Sequence, residues 1–309
     1  MSAIKKAASL IVCAIAEKPL PEIQVLMLQR SNYGHYGGLT VFPGGKLEQV
    51  DSLSDWKQIL GSDSLNEITV NKLAALRETF EESGLLLLQS GTLNEKERME
   101  WRTKVVQNST SFLDLMKSKK LKPLVDDLVH FSNWISPKTF DKTNRFDTQF
   151  FLSLIDEKQK DDVQVDGKEA INFIWYSNSD HLTLSLGKAQ RNTLLHLKET
   201  VHLLYSQVYE CIEIELLPPQ YCTLFELLNV KPESFQDYIK NKRAINPTTY
   251  LPEVIGKTSD GNGAVMALPG DGKHSTTLGS PERHYFEIVR ANGKVRSIEL
   301  FSNKFIPKL

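Results

Sequence analysis

The stretch RETFEESGL, residues 77–85, constrains this chain more than any other. A helix turns by about 100° per residue, so Glu78, Glu81 and Glu82 fall within one arc of about 100°. Leu73, Leu76, Phe80 and Ser83 take the opposite side, and the small Ala74 and Ala75 leave room beside the acids. Residues 73–83 therefore read as a helix with an apolar back and an acidic front, stopped by Gly84. Like charges at these spacings destabilise a helix. Either the acidic face looks onto water, as surface helices commonly do, or a cation gathers the carboxylates. Hard divalent cations such as Mg²⁺ prefer carboxylate oxygens and bind jointly to protein acids and substrate phosphates. Arg77 stands four residues before Glu81, within pairing reach.

The rest of the chain frames that helix. Apolar runs at 8–16 and 23–29 read as strands joined by a Pro-containing turn. The Gly-rich segment 31–46 lets backbone approach a ligand closely. Residues 51–71 are polar with scattered apolar positions and read as a partly helical surface insertion. LLLL at 85–88 reads as a buried strand. Helices are expected at 94–107, 110–119, 179–186 and 193–210, and strands at 128–136, 148–155 and 169–177. EIVRANGKVRSIEL is a hairpin signal centred on Asn292-Gly293. Strands alternating with helices, with hairpin strands among them, predict an α/β fold, a mixed sheet covered by helices on both sides.

Composition narrows the function classes. With 37 basic and 38 acidic residues and a net charge of −1, nothing draws the chain generally to nucleic acid or an anionic membrane. SLIVCAIA at 9–16 is too short to span a bilayer and lacks a secretory cleavage pattern. Cys13, Cys211 and Cys222 form no CxxC and cannot all pair, which fits a reducing compartment.

FPGGKLEQVD, residues 42–51, lies upstream of the glutamates. Together the two segments resemble the signature of the Nudix hydrolases, G-x5-E-x7-R-E-U-x-E-E-x-G-U with U aliphatic. Gly45, Arg77, Glu78, Glu81, Glu82, Gly84 and Leu85 match. Three positions depart. Asp51 stands for the first glutamate, Thr79 for an aliphatic residue, and 25 residues, an excess of 18, separate Asp51 from Arg77. The resemblance implies the Nudix fold, with a helical insertion at about 52–70 inside the box. It implies a hydrolase domain over 1–230, followed by a C-terminal extension, 231–309, carrying a β-hairpin and packed on the same domain. It also implies Mg²⁺ or Mn²⁺ as cofactor. Glu81, Glu82 and the Gly44 carbonyl would be ligands, and Glu78 a ligand or the base. Arg77 would orient the glutamates, and Asp51 and Gly45 would support the cluster from behind.

The long insertion resembles the peroxisomal coenzyme A diphosphatase branch. VLMLQRS (25–31), RFDTQFF (145–151), EAINFIWYS (169–177) and LLPPQYCTLFEL (216–227) agree with it. That branch implies hydrolysis of coenzyme A and acyl-coenzyme A to 3′,5′-ADP and 4′-phosphopantetheine or its acyl form. NADH, ADP-ribose, capped RNA, or binding without catalysis are the alternatives. Arg30 either touches substrate or caps a loop, and His35 either touches substrate or lies on the surface. Arg145 either meets a substrate phosphate or pairs with Asp147. Glu169 is a candidate late acid, and PPQ at 218–220 reads as a rigid turn rather than a contact. Lys119, Lys120 and Lys122 read as a solvated run, open to a 3′-phosphate. Pro307, Lys308 and Leu309 resemble a peroxisomal address read by an import receptor, with cytoplasm or mitochondrion as the alternative locations.

Overall fold

A computed structural model describes residues 4–17, 21–32, 37–137, 145–177, 216–259, 261–282, 284–291 and 294–302. The chain opens with β1 (Lys5–Ala16), β2 (Glu22–Arg30), β3 (Thr40–Val41) and β4 (Gly44–Lys46). A 3₁₀ turn, Gln49–Ser52, leads to α1 (Trp56–Leu60) and α2 (Glu67–Ser83). β5 (Leu88–Ser90), α3 (Glu95–Gln107), α4 (Thr110–Lys119) and β6 (Lys122–Pro123) follow. Next come β7 (Val129–Ile135), β8 (Phe146–Ile155) and β9 (Ala170–Ser177). The C-terminal part holds α5 (Pro218–Leu228), α6 (Phe235–Arg243), β10 (Thr248–Tyr250), β11 (Glu253–Lys257), β12 (Gly263–Ala267), β13 (His284–Ala291) and β14 (Lys294–Ser302).

One mixed sheet runs β10-β7-β8-β1-β2-β3, with β4 paired to β1 and β9 to β2. The β1–β8 and β10–β7 pairs are parallel, and the others are antiparallel. A second, antiparallel sheet runs β11-β12-β13-β14.

β1 is buried on both faces, which is why it reads as an unbroken apolar run rather than an alternation. Its Leu10 and Val12 pack with Leu73 and Phe80 of α2 and Phe112 of α4. Its Ile11 and Cys13 belong to a second core with Leu224 of α5, Phe235 of α6, Met266 of β12 and Phe286 of β13. Helices thus cover one face, while helices and the second sheet share the other. The expectation of helices on both faces holds, and the second sheet joins the helices on one of them, where its apolar residues complete the second core.

Other expectations change. α2 starts at Glu67, not at 73, because the Asn66 side chain accepts a hydrogen bond from the Thr69 N–H at 2.8 Å and caps the extra turn. The insertion is more than a surface excursion. Trp56 is fully buried, packs in a tilted arrangement against Phe112 at 5.9 Å between ring centroids, and donates its indole N–H to the Val50 carbonyl at 2.8 Å. Of LLLL only Leu88 enters a strand, the short β5. Leu85 and Leu87 instead fill the first core, with no ladder partner needed. Pro218 and Pro219 open α5 rather than forming a turn, because proline's fixed φ suits the first helical positions.

Cys13 and Cys222 are buried free thiols. Among the described residues no helix is long and apolar enough to cross a membrane. His35, the helices expected at 179–186 and 193–210, the Asn292-Gly293 turn and the tail Pro307, Lys308 and Leu309 lie outside the described residues.

Candidate active site

α2 delivers the three glutamates to the mouth of β4. Arg77, wholly buried on the same helix, holds the arrangement. Its Nε donates to Asp51 Oδ1 at 2.9 Å and its Nη2 to Asp51 Oδ2 at 3.0 Å. Nη2 also reaches the Lys46 carbonyl at 3.0 Å. Nη1 donates to Glu78 Oε1 at 3.0 Å and Glu81 Oε1 at 2.9 Å. Burial works against the guanidinium's charge, but Asp51, Glu78 and Glu81 outweigh it and hold its pKa above the ordinary value. Asp51, also wholly buried, accepts in addition the Glu48 N–H at 2.8 Å. The insertion therefore leaves Asp51 beside Arg77, and Trp56 braces the turn that carries it.

Glu82 is held from the other side. The Gly44 N–H donates to its Oε2 at 2.9 Å, and Arg30 Nη1 lies 3.5 Å from its Oε1. Gly44 thus turns its amide to the cluster, whereas the resemblance assigned it a carbonyl role. Gly45 is required by space. A Cβ there would lie 2.5 Å from the Glu78 carboxyl carbon and would push that carboxylate out of its place beside Arg77.

Burial, then the charge of Glu78, pushes the Glu82 carboxyl up to about 8, and burial pushes Glu78 up to about 7. Glu81 is raised as well, chiefly by burial. Three carboxyls crowded in a desolvated place offer the oxygen donors that a hard divalent cation prefers. Among the described residues no three acidic or imidazole side chains already close an ion cage. Arg77 engages Glu78 and Glu81 instead, and Gly44 engages Glu82.

The end of α2 is secured by arginines that sequence reasoning missed. Arg102 of α3 donates to the Glu81 carbonyl at 3.0 and 2.9 Å and to the Glu82 carbonyl at 2.8 Å. Arg98 donates to the Gly84 carbonyl at 2.7 Å. The last carbonyls of a helix lack partners within it, and these guanidiniums supply them. Nothing in ERMEWRTKVV marks the two arginines apart from their neighbours. The signal is the packing of α3 on α2.

The glutamates line a cavity of about 920 Å³. Arg30 and Glu169 line it too, with Arg30 Nη2 4.0 Å from Glu169 Oε2. Arg145 does not line it. Its Nε and Nη2 donate to the Ser136 carbonyl at 3.1 and 2.9 Å, which ties the start of β8 to the end of β7. Asp147 pairs with Lys6 at 2.8 Å rather than with Arg145. The pairing of Arg145 with Asp147 is corrected, because Lys6 takes that carboxylate and the Ser136 carbonyl takes two of the guanidinium N–H groups. Lys119 and Lys122 also face away, paired with Glu97 at 2.5 Å and Asp126 at 3.2 Å.

A mixed sheet with a glutamate-bearing helix packed beside a Gly-Gly strand gives this chain the fold of the Nudix hydrolases, enzymes that generally use divalent metals. Residues 60–190 match the NUDT19 Nudix domain model. The chain is 27% identical to the acyl-coenzyme A diphosphatase NUDT19 of Xenopus laevis, over 81% of this chain and 71% of that protein. It is 26% identical to the human protein of the same name, over 82% of this chain and 72% of that protein. Among solved structures, a NUDIX hydrolase from Alicyclobacillus acidocaldarius shares the fold, with a TM-score of 0.52 at 20% identity, covering 75% of this chain and 94% of that one.

Proposed function

We propose that this chain hydrolyses the pyrophosphate bond of coenzyme A and acyl-coenzyme A, giving 3′,5′-ADP and 4′-phosphopantetheine or its acyl form, with Mg²⁺ or Mn²⁺ as cofactor. The observation that carries the reading is a cavity with a mixed lining. Glu78, Glu81, Glu82 and Arg30 contribute charged groups to it, and Leu217, Pro218 and Met266 contribute apolar surface. That suits a diphosphate carrying a long, weakly polar arm. The similarity to relatives named acyl-coenzyme A diphosphatases supports the same substrate class.

Glu78, Glu81 and Glu82 would hold the metal, and Gly44 positions Glu82 through its amide. A bound divalent cation neutralises the diphosphate and sharpens a water into a nucleophile. Arg77 holds Glu78 and Glu81 close together through its Nη1 and so keeps both carboxylates at the site. Arg30, about one third exposed at the cavity, offers its remaining N–H groups to a substrate phosphate. Glu78 serves as a ligand or accepts the proton of the attacking water. Water adds across the anhydride, and two phosphate monoesters leave.

Mass-spectrometric product analysis on coenzyme A, acyl-coenzyme A, NADH and ADP-ribose tests the substrate. Chelation should abolish hydrolysis, and added Mg²⁺ or Mn²⁺ should restore it. Glu82→Gln should lower turnover roughly 10²-fold, since metal stabilisation of the transition state amounts to several kcal/mol. Near-normal turnover of that variant at saturating metal would refute the metal assignment. Preference for ADP-ribose or NADH would refute the substrate.

A further inference from the structure

Gln220 lies on the cavity wall and takes no part in the acid cluster. It follows two prolines at the start of α5, where neither proline has an N–H to donate. Its side chain is 6% exposed, and its Oε1 is enclosed with no hydrogen-bond partner among the described residues. Buried side-chain amides in native proteins are nearly always paired. The other enclosed oxygens of this kind on Asn71, Ser132 and Asn133 belong to residues that do not line the cavity. An unmet amide oxygen on a residue that lines a ligand-sized cavity is an acceptor open to a donor that enters it.

The surroundings define that something. Leu217, Pro218 and Pro219 flank Gln220 on the same wall, and Met266 and Ile288 of the second sheet also line the cavity. An apolar wall with one neutral donor–acceptor group suits an uncharged chain that itself carries a donor and an acceptor. A secondary amide is such a group, and its N–H can donate to the unpartnered Oε1 of Gln220. A phosphate would instead call for cations, and the glutamates have the arginine Arg30 beside them.

We propose that Gln220 binds an amide of the pantetheine arm and so selects the leaving group of the diphosphate. The assignment rests on the coenzyme A reading above and adds a specificity-determining residue to it. Leu217, Pro218, Met266 and Ile288 then form the wall along which the arm lies.

Two variants, Gln220→Leu and Gln220→Met, test it in the full chain with Mg²⁺ present. Both remove the amide and keep the bulk. Three readouts are compared with the parent protein: thermal unfolding, calorimetric binding of 4′-phosphopantetheine and of 3′,5′-ADP separately, and steady-state hydrolysis of coenzyme A. Gln220 Oε1 has no hydrogen bond to lose, so an apolar group of similar shape in its place leaves the fold about as stable or more so. The expected result is therefore an unchanged or higher Tm. Binding of 4′-phosphopantetheine weakens about tenfold, KM for coenzyme A rises about tenfold, and kcat changes less than about twofold. Affinity for 3′,5′-ADP stays the same. Unaltered affinity for 4′-phosphopantetheine in both variants would overturn the assignment. So would a fall in Tm with parallel loss of both ligands, which marks a structural glutamine. If the parent protein neither hydrolyses coenzyme A nor binds 4′-phosphopantetheine, the substrate reading itself fails and the assignment falls with it. If the parent does both and only the variants behave like it, the failure belongs to Gln220 alone.

Discussion

Arg77 and Asp51 are both wholly shielded from water, and each is the other's principal partner. Removing one member of such a pair leaves an uncompensated buried charge, which costs about 3–5 kcal/mol. Asp51→Ala should therefore lose stability of that order in urea titration. Asp51→Asn keeps the shape and can still accept from Arg77, so its effect should lie mainly in function. A group that orients metal ligands from behind typically contributes about 10–100-fold to metal affinity or activity. A drop of that size, with coenzyme A hydrolysis measured across a metal titration, is the expected outcome. An Asp51→Asn enzyme indistinguishable from the parent would show that Arg77 orients the glutamates without help. The crowding of Glu78, Glu81, Glu82 and Arg77 was legible in the sequence because helical spacing is local and rigid. Asp51 was legible only through the signature, since 25 residues of intervening chain give no geometric clue.

Among the elements, the insertion between Asp51 and α2 differs most from what its composition suggests. Polar residues outnumber apolar ones there, so the segment reads as solvated. Yet Trp56 sits at its centre with no exposure and fastens the Val50 carbonyl. Trp56→Ala should cost about 3–5 kcal/mol, as large-to-small changes of buried aromatics do. Trp56→Phe keeps most of the ring but leaves the Val50 carbonyl without its donor, and should cost about 1–3 kcal/mol. Equilibrium unfolding distinguishes the two. Losses below about 0.5 kcal/mol in both would return the segment to the surface. The boundary of α2 was misjudged for a related reason. Asn66 is an N-cap seven residues ahead of the apolar pattern at Leu73, and the intervening residues 67–72 break that pattern. Arg98 and Arg102 were invisible because a guanidinium's target on another helix leaves no trace in its own neighbourhood.

At the scale of the whole molecule, the C-terminal sheet is a structural part of the hydrolase body. Met266, Phe286 and Ile288 share a core with Ile11, Phe131 and Trp134, and Met266 and Ile288 also face the cavity. Phe286 is fully buried, and Phe286→Ala should cost about 3–5 kcal/mol. Calorimetry should record one cooperative transition shifted downward. A separate, early-melting transition in that variant would make the second sheet an independent unit. Turn residues announced the hairpin strands, since strand alternation and a tight turn are local. Where the sheet docks was not announced, because its apolar positions meet partners more than one hundred residues earlier.

The parallel pairing of β1 with β8 has a consequence for how the chain is made. β1 is an inner strand, and one of its edges is completed only when Phe146 comes to lie beside Lys5 and Ile155 beside Ala14. On the ribosome those partners are separated by 141 residues. At about 5–20 residues per second, the strand waits roughly 7–28 seconds for its neighbour. Through that interval a highly apolar edge is without its mate, and such edges invite pairing with other chains. The nascent protein therefore relies on chaperone cover or on early docking of α2, whose apolar back can shield one face of β1 before β8 has been synthesised.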